Sequence, residues 1–344
     1  MRHLMLLATM LALATPHAAR AQDSVADFYR GKRLFLQVGS ETGGGYDLVG
    51  RAVARHIAKY IPGSPTIVVQ NVVGGGSVKL GNDFYNIAPR DGTYVALCSN
   101  GMPTAPLLAP ESVKFDPRRF SWIGSTNREI EVLVVWHTAA VKSVEDLFKM
   151  PVIAGASSPG SATYDYPLVA NALLGTKFKI VNGYSGATQV KLAMERGEVE
   201  ANAALAFESA KTGYGDVLGD GKLKLMAQWG FEPHPQLQST PLVPVGKDPE
   251  IHQILAILYA RGDYGRPFFT PPDVPQERVA ALRKAFAATM QDKDFLADTA
   301  KLHLDIDPVT GEDLQSLTDR LMATPPAVLE HLRTLLSAGS NKAN

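Results

Sequence analysis

Four short turns hold the residues of this chain that could do chemistry. Gly43-Gly44-Gly45-Tyr46-Asp47 follows the apolar run Leu34 to Val38, and Gly74-Gly75-Gly76-Ser77 follows Thr66 to Val73. Ser157, Ser158, Ser161 and Thr163 cluster around Gly160, and Tyr184-Ser185-Gly186 repeats that composition at the next turn. Glycine lets backbone N–H groups approach a ligand, and a helix N-terminus adds partial positive charge. Hydroxyls and free amides can all donate, and no acidic side chain stands among Ser157 to Thr163, so that turn suits a carboxylate. This is the chemistry of binding rather than of bond-making.

Each candidate also has an ordinary structural role. Asp47 stands where a helix begins; it can cap that helix, or accept from a ligand or an ordered water, or do both. Three successive glycines carry an entropy cost that a capped turn would not need, so Gly74, Gly75 and Gly76 read as a place of ligand approach, with Ser77 adding a hydroxyl. Tyr184, and Phe207 after the strand Val199 to Ala204, are candidates to line a cleft, although burial in the core is the commoner fate of such residues.

Enzyme motifs are broken. Gly43 to Leu48 departs from the dinucleotide fingerprint at its third glycine, and Gly221-Lys222 lacks the earlier glycine of a phosphate-binding loop. Gly155-Ala156-Ser157-Ser158-Pro159 lacks the second glycine of a nucleophile elbow, which leaves a serine hydrolase at Ser157 or Ser158 as a remote alternative. None of the eight histidines sits in a metal-ligand pair. The expectation is a non-enzyme with no cofactor and no metal.

Alternating strand-like and helix-like runs must position these turns, which is the pattern of βαβ units and parallel sheets. Leu34 to Val38 leads to a helix from Tyr46 to Tyr60, stopped by Pro62-Gly63. Thr66 to Val72 leads to a helix from Val78 to Asn86, and Tyr94 to Cys98 is a third strand. Val132 to Trp136, Val152 to Ala156 and Phe178 to Val181 are further strands, with helices ending near Leu174 and running from Ala187 to Arg196. Phe268-Phe269 reads as a return strand. The helices that follow, including Gly311 to Met322 and Pro326 to Leu336, are expected to brace the first lobe from outside.

Arg2 precedes an apolar run from Leu4 to Ala14, and Ala19-Arg20-Ala21 offers a cleavage point, so residues 1–21 read as a secretory signal peptide. A run of 11 residues is too short for the roughly 20 that a spanning helix needs. Removing that segment takes Arg2 and Arg20 from 34 basic residues and none from 34 acidic ones, a net charge of −2. So balanced a surface gives no footprint for nucleic acid or anionic lipid. The remaining 323 residues exceed what one core usually serves, so two lobes are expected: 22–129 with 259–344, and 130–258. Cys98 is the lone cysteine, which excludes an intrachain disulfide.

As a whole the chain resembles the extracytoplasmic solute receptors of tripartite tricarboxylate transporters, the Bug family. The resemblance rests on Gly43 to Arg51, on Asn71-Val72-Val73-Gly74-Gly75-Gly76-Ser77, on Pro89-Arg90-Asp91-Gly92-Thr93, on Arg266-Pro267-Phe268, and on Pro271-Pro272-Asp273-Val274-Pro275. It implies a two-lobed, type II-like periplasmic binding protein of α/β class, with a ligand cleft between two βα domains. It further implies a monomer that closes on a small carboxylate and hands it to membrane permease subunits. The Gly43 to Asp47 corner would supply the first lobe's contacts and Ser157 to Thr163 the second's. Ser77-Val78-Lys79-Leu80 stands where further glycines are usual, so the resemblance does not carry the ligand's identity.

Closure at hinges near 125–131 and 258–266 is the mechanism this implies. A ligand-dependent sensor component with the same fold is the competing reading.

Overall fold

The computed structural model describes residues 25–108, 110–157 and 160–340. The expected signal peptide and Ser158 lie outside the described residues.

The first sheet is built from β1 (Arg33–Val38), β2 (Thr66–Asn71), β3 (Tyr94–Leu97) and β4 (Ser121–Ser125). Two late strands, Pro267–Thr270 and Val309–Thr310, complete it. The second sheet uses β5 (Glu131–Trp136), β6 (Val152–Gly155), β7 (Phe178–Val181), β8 (Ala201–Ala206) and β9 (Leu223–Trp229); the two late strands are β10 and β11. The sheet orders are β11-β4-β10-β3-β1-β2 and β7-β6-β8-β5-β9.

The sheets are mixed where the sequence pattern pointed to parallel ones. β1 runs parallel to β2 and β3, and β6 runs parallel to β7 and β8. β10 lies antiparallel between β3 and β4, and β5 lies antiparallel between β8 and β9. β5 and β10 are each the first strand after a crossover between sheets, and β11, antiparallel to β4, runs the same way as β10.

Local patterning explains the first unit. β1 alternates exposed or half-buried with buried residues, ending on the fully buried Val38. The helix Gly45–Ile57 turns Val49, Ala52, Val53 and Ile57 onto the sheet, each large apolar one worth about 1.5–3 kcal/mol when fully buried. Gly50 lets the helix approach closely, since a Cβ there would meet Val38 Cγ2 at 2.8 Å. Helix and strand thereby fix the turn between them.

One core runs without a break through both halves, from Phe84 and Trp122 by way of Ile254, Leu258 and Tyr264 to Leu133 and Ala154. Its bridge is the helix Pro249–Tyr264. The last helix, Pro326–Ser340, does not brace the first sheet alone. It packs on the helices Ala105–Leu108, Ala162–Leu173 and Pro249–Tyr264, because Val328 and Leu332, one turn apart, join this continuous core. Among the described residues no helix is long and apolar enough to cross a membrane, and no group of three or more His, Cys, Asp or Glu could hold a metal ion.

Candidate functional site

The first corner is held by the carboxylate that the sequence offered to a ligand. Asp47 is 1% exposed. It accepts from the Gly43 amide at 2.8 Å, from Arg51 Nε at 2.9 Å and from Asn71 Nδ2 at 2.9 Å. Burial raises its pKa, but these donors outweigh burial and hold the carboxyl below its ordinary value. Asp47 therefore ties turn, helix and β2 together, and the groups left facing outward are the exposed Gly43, Gly44 and Gly45. Tyr46 is half-buried; its hydroxyl accepts from the Asn100 amide at 3.0 Å.

At the second corner, Gly74, Gly75 and Gly76 all take positive φ, at 152°, 53° and 57°, and Ser77 follows at 72°. The expected free hydroxyl of Ser77 is spent internally. Ser77 is fully buried, donates to the Gly39 carbonyl at 2.9 Å and accepts from the Ser99 amide at 2.9 Å, so it joins the ends of β1 and β3. What it leaves to the surface is Gly75 and Gly76, and Gly75 with the half-buried Gly74 lines a cavity of about 590 Å³ beside Lys79.

The third corner brings most of its candidates together. Thr163 Oγ1 accepts from the Ser157 amide at 3.0 Å and lies 2.9 Å from Ser161 Oγ. Gly183 N donates to the Ser157 carbonyl at 2.8 Å, and Tyr184 N to the Ala156 carbonyl at 3.3 Å, so the Tyr184 to Gly186 turn sits directly beside it. An acidic side chain does compete here. Asp165, in the first turn of the helix Ala162–Leu173, is buried and takes the Gly160 amide at 3.0 Å. Asp165 lies two residues beyond Thr163, where the hydroxyl cluster ends.

Phe207 is 8% exposed, with its amide on the Ile130 carbonyl at 2.9 Å and Lys211 Nζ 4.9 Å from its ring centroid. It packs in the core at the first crossover rather than lining an open cleft. Beside Gly160 a cavity of about 450 Å³ is walled by Tyr164 and Asp165 and, across from them, by Leu108, Arg333 and Thr334.

Charged residues on the crossovers, absent from the sequence candidates, tie these corners to one segment. Arg261 Nη2 donates to Asp165 Oδ2 at 2.8 Å, both side chains almost fully buried. Five residues later Arg266 Nη1 donates to the Gly45 carbonyl at 3.1 Å, while its Nε donates to Glu129 at 3.1 Å. Glu131, 5% exposed, is pushed up to about 8, first by burial, then by Glu129, with Arg261 opposing. Two arginines in the short stretch Arg261-Gly262-Asp263-Tyr264-Gly265-Arg266, at a stretch already read as a hinge, were the available signal.

Solved structures share this fold. A TctC solute binding protein from Polaromonas superposes with a TM-score of 0.66 at 20% identity, covering 90% of this chain and 99% of that one. The fold is that of a two-lobed periplasmic binding protein. MatC from Rhodopseudomonas palustris, with bound malate, matches at 0.62 and 17% identity over 89% of this chain and 99% of that one. A second R. palustris protein, with adipate, matches at 0.65 and 17% over 89% and 97%. No family model matches the chain, and no curated protein matches it.

Proposed function

We propose that this chain is an exported receptor that binds a small carboxylate between two lobes and delivers it to a membrane permease. It makes and breaks no bond. One observation carries the reading: donor-bearing corners at the ends of β1 and β6 are each held by an arginine of the same crossover, Arg266 on Gly45 and Arg261 on Asp165. A ligand that touches both corners biases the angle between the lobes, and the bias equals its differential affinity for the open and closed states. The lobes are taken as 22–129 with 259–344, and 130–258, the last helix reaching across. Support for an acid as ligand comes from the malate and adipate held by two proteins of this fold.

The test is a thermal-shift screen of the full chain against mono-, di- and tricarboxylic acids, with Ser161→Ala and Thr163→Val alongside. An acid at a hundredfold over its dissociation constant adds about 2.7 kcal/mol and raises the midpoint. The expected result is a rise with a small dicarboxylate that shrinks in both variants. A flat profile across the panel would sink the carboxylate reading.

A further inference from the structure

We propose that Arg266 binds the ligand's carboxylate in the first lobe, and that position 45 is glycine to leave this guanidinium uncovered. The inference rests on the receptor reading above and names a residue of its site.

The Arg266 side chain is 6% exposed. A guanidinium has five N–H donors in one plane. Nε is spent on Glu129 and Nη1 reaches the Gly45 carbonyl, whereas among the described residues Nη2 has no hydrogen-bond partner. Nη2 is not among the sealed unpaired atoms, so on an otherwise buried side chain it is the edge that a guest can reach, and a charged acceptor there makes a stronger hydrogen bond than the water it displaces.

The surroundings say which guest. Nη2 lies under Gly45, an exposed residue at the start of a 13-residue helix whose dipole also favours negative charge. The guanidinium sits 5.6 Å from the centroid of the Tyr46 ring. Glu129 already offsets one unit of charge, so a single carboxylate, with two oxygens spaced for a planar fork, fits better than a multiply charged phosphate. A cation is repelled.

Gly45 supplies the second, independent observation. Its φ lies outside the left-handed region, so backbone conformation does not require glycine. A Cβ there would meet Arg266 Nη2 at 3.4 Å, and Nη1 and Cζ at 3.8 Å. That is ordinary contact: a methyl fits the fold and covers the donor. By contrast Arg261 Nε, also unpartnered, is sealed from any ligand.

The experiment is calorimetric titration of the full chain and three variants, Gly45→Ala, Arg266→Gln and Glu129→Gln, with succinate, malate and adipate. Gly45→Ala is expected to melt no lower than wild type, since alanine favours a helical position, yet to bind at least tenfold more weakly. Arg266→Gln is expected to lose a hundredfold or more. Glu129→Gln frees the guanidinium and is expected to bind at least as tightly as wild type, which separates ligand contact from the mere holding of Glu129.

If Arg266→Gln does not fold, Gly45→Ala decides. Wild-type affinity in Gly45→Ala, or in a folded Arg266→Gln, overturns the proposal and leaves the receptor reading intact. A tenfold loss in Glu129→Gln overturns it as well. Silence of the wild type towards all three acids overturns this proposal, and a flat profile across the wider acid panel overturns the carboxylate reading with it.

Discussion

Arg261 and Asp165, 96 residues apart in sequence, form a 2.8 Å ion pair sealed from solvent. It joins the second crossover to the corner around Gly160. Removing one partner of such a pair leaves the other charged and unpaired, at a cost of about 3–5 kcal/mol, whereas replacing both with apolar residues is near neutral. Asp165→Asn is therefore expected to lower stability by several kcal/mol in urea titration, and the double variant Arg261→Met with Asp165→Leu to recover most of it. Equal losses in single and double variants would mean the pair does not act as a unit.

Glu131 gives stability a pH dependence of definite sign. It faces Glu129 from its own crossover, Arg261 from the helix Pro249–Tyr264 and Tyr166 from the helix Ala162–Leu173, and its backbone pairs with Ala206 and Trp229. Folding raises its pKa from 4.5 to about 8, so between those values the folded chain holds a proton that the unfolded chain has lost. Stability then falls as pH rises through that window, by up to about 1.36 kcal/mol per unit from this group, and levels off above it. Glu131→Gln is expected to flatten the profile between pH 5 and pH 8 in chemical denaturation.

The corners were legible in sequence because glycine and serine turns after apolar runs are local signals, and β1, β2 and β3 fall where the alternation places them. β4 was not legible. Its Gly124, at φ 155°, interrupts a short strand and exists to seat Phe286, whose Cε1 would lie 2.7 Å from a Cβ there. β9 carries Lys224 and Gln228 among its apolar residues and follows Gly221-Lys222 directly, so no clean alternation marks it. The directions of β5 and β10 are set by crossovers, which leave no trace in residue periodicity. The pairs Arg261 with Asp165 and Arg266 with Glu129 span 96 and 137 residues, beyond any local pattern.

Asp47 is expected to behave as a structural acid. Asp47→Ala takes the shared acceptor from the Gly43 amide, Arg51 Nε and Asn71 Nδ2, the last of which keeps its bond to the Ser40 carbonyl at 2.9 Å, and losing these bonds to a charged group is expected to cost about 1–3 kcal/mol. Its pKa is depressed, so its contribution is present above the ordinary carboxylate value and is lost as pH falls through the folded one. Acid unfolding of Asp47→Ala monitored by circular dichroism is expected to begin from a lower plateau and to show a shallower decline. An unchanged plateau at neutral pH would show that the corner holds without it.

The two crossovers touch backbone to backbone at Gly265. This residue takes φ 56°, and a Cβ there would lie 1.9 Å from the Asn127 carbonyl oxygen. Gly262, one turn earlier, would place its own Cβ 2.3 Å from the Glu129 carbonyl oxygen. No rotamer relieves a clash with backbone, so Gly265→Ala must push residues 125–131 away from the helix Pro249–Tyr264 and add the strain of a left-handed alanine, about 1–2 kcal/mol. The comparison is Gly186→Ala: its φ of 169° is extended backbone and nothing lies within 4 Å, so it is expected to change stability by no more than about 0.5 kcal/mol. Gly265→Ala is expected to lose several kcal/mol in the same denaturation and to broaden the distance between labels on the two lobes. Equal stability of the two variants would show that the crossovers slide past each other freely, and a hinge built on their contact would have to be abandoned.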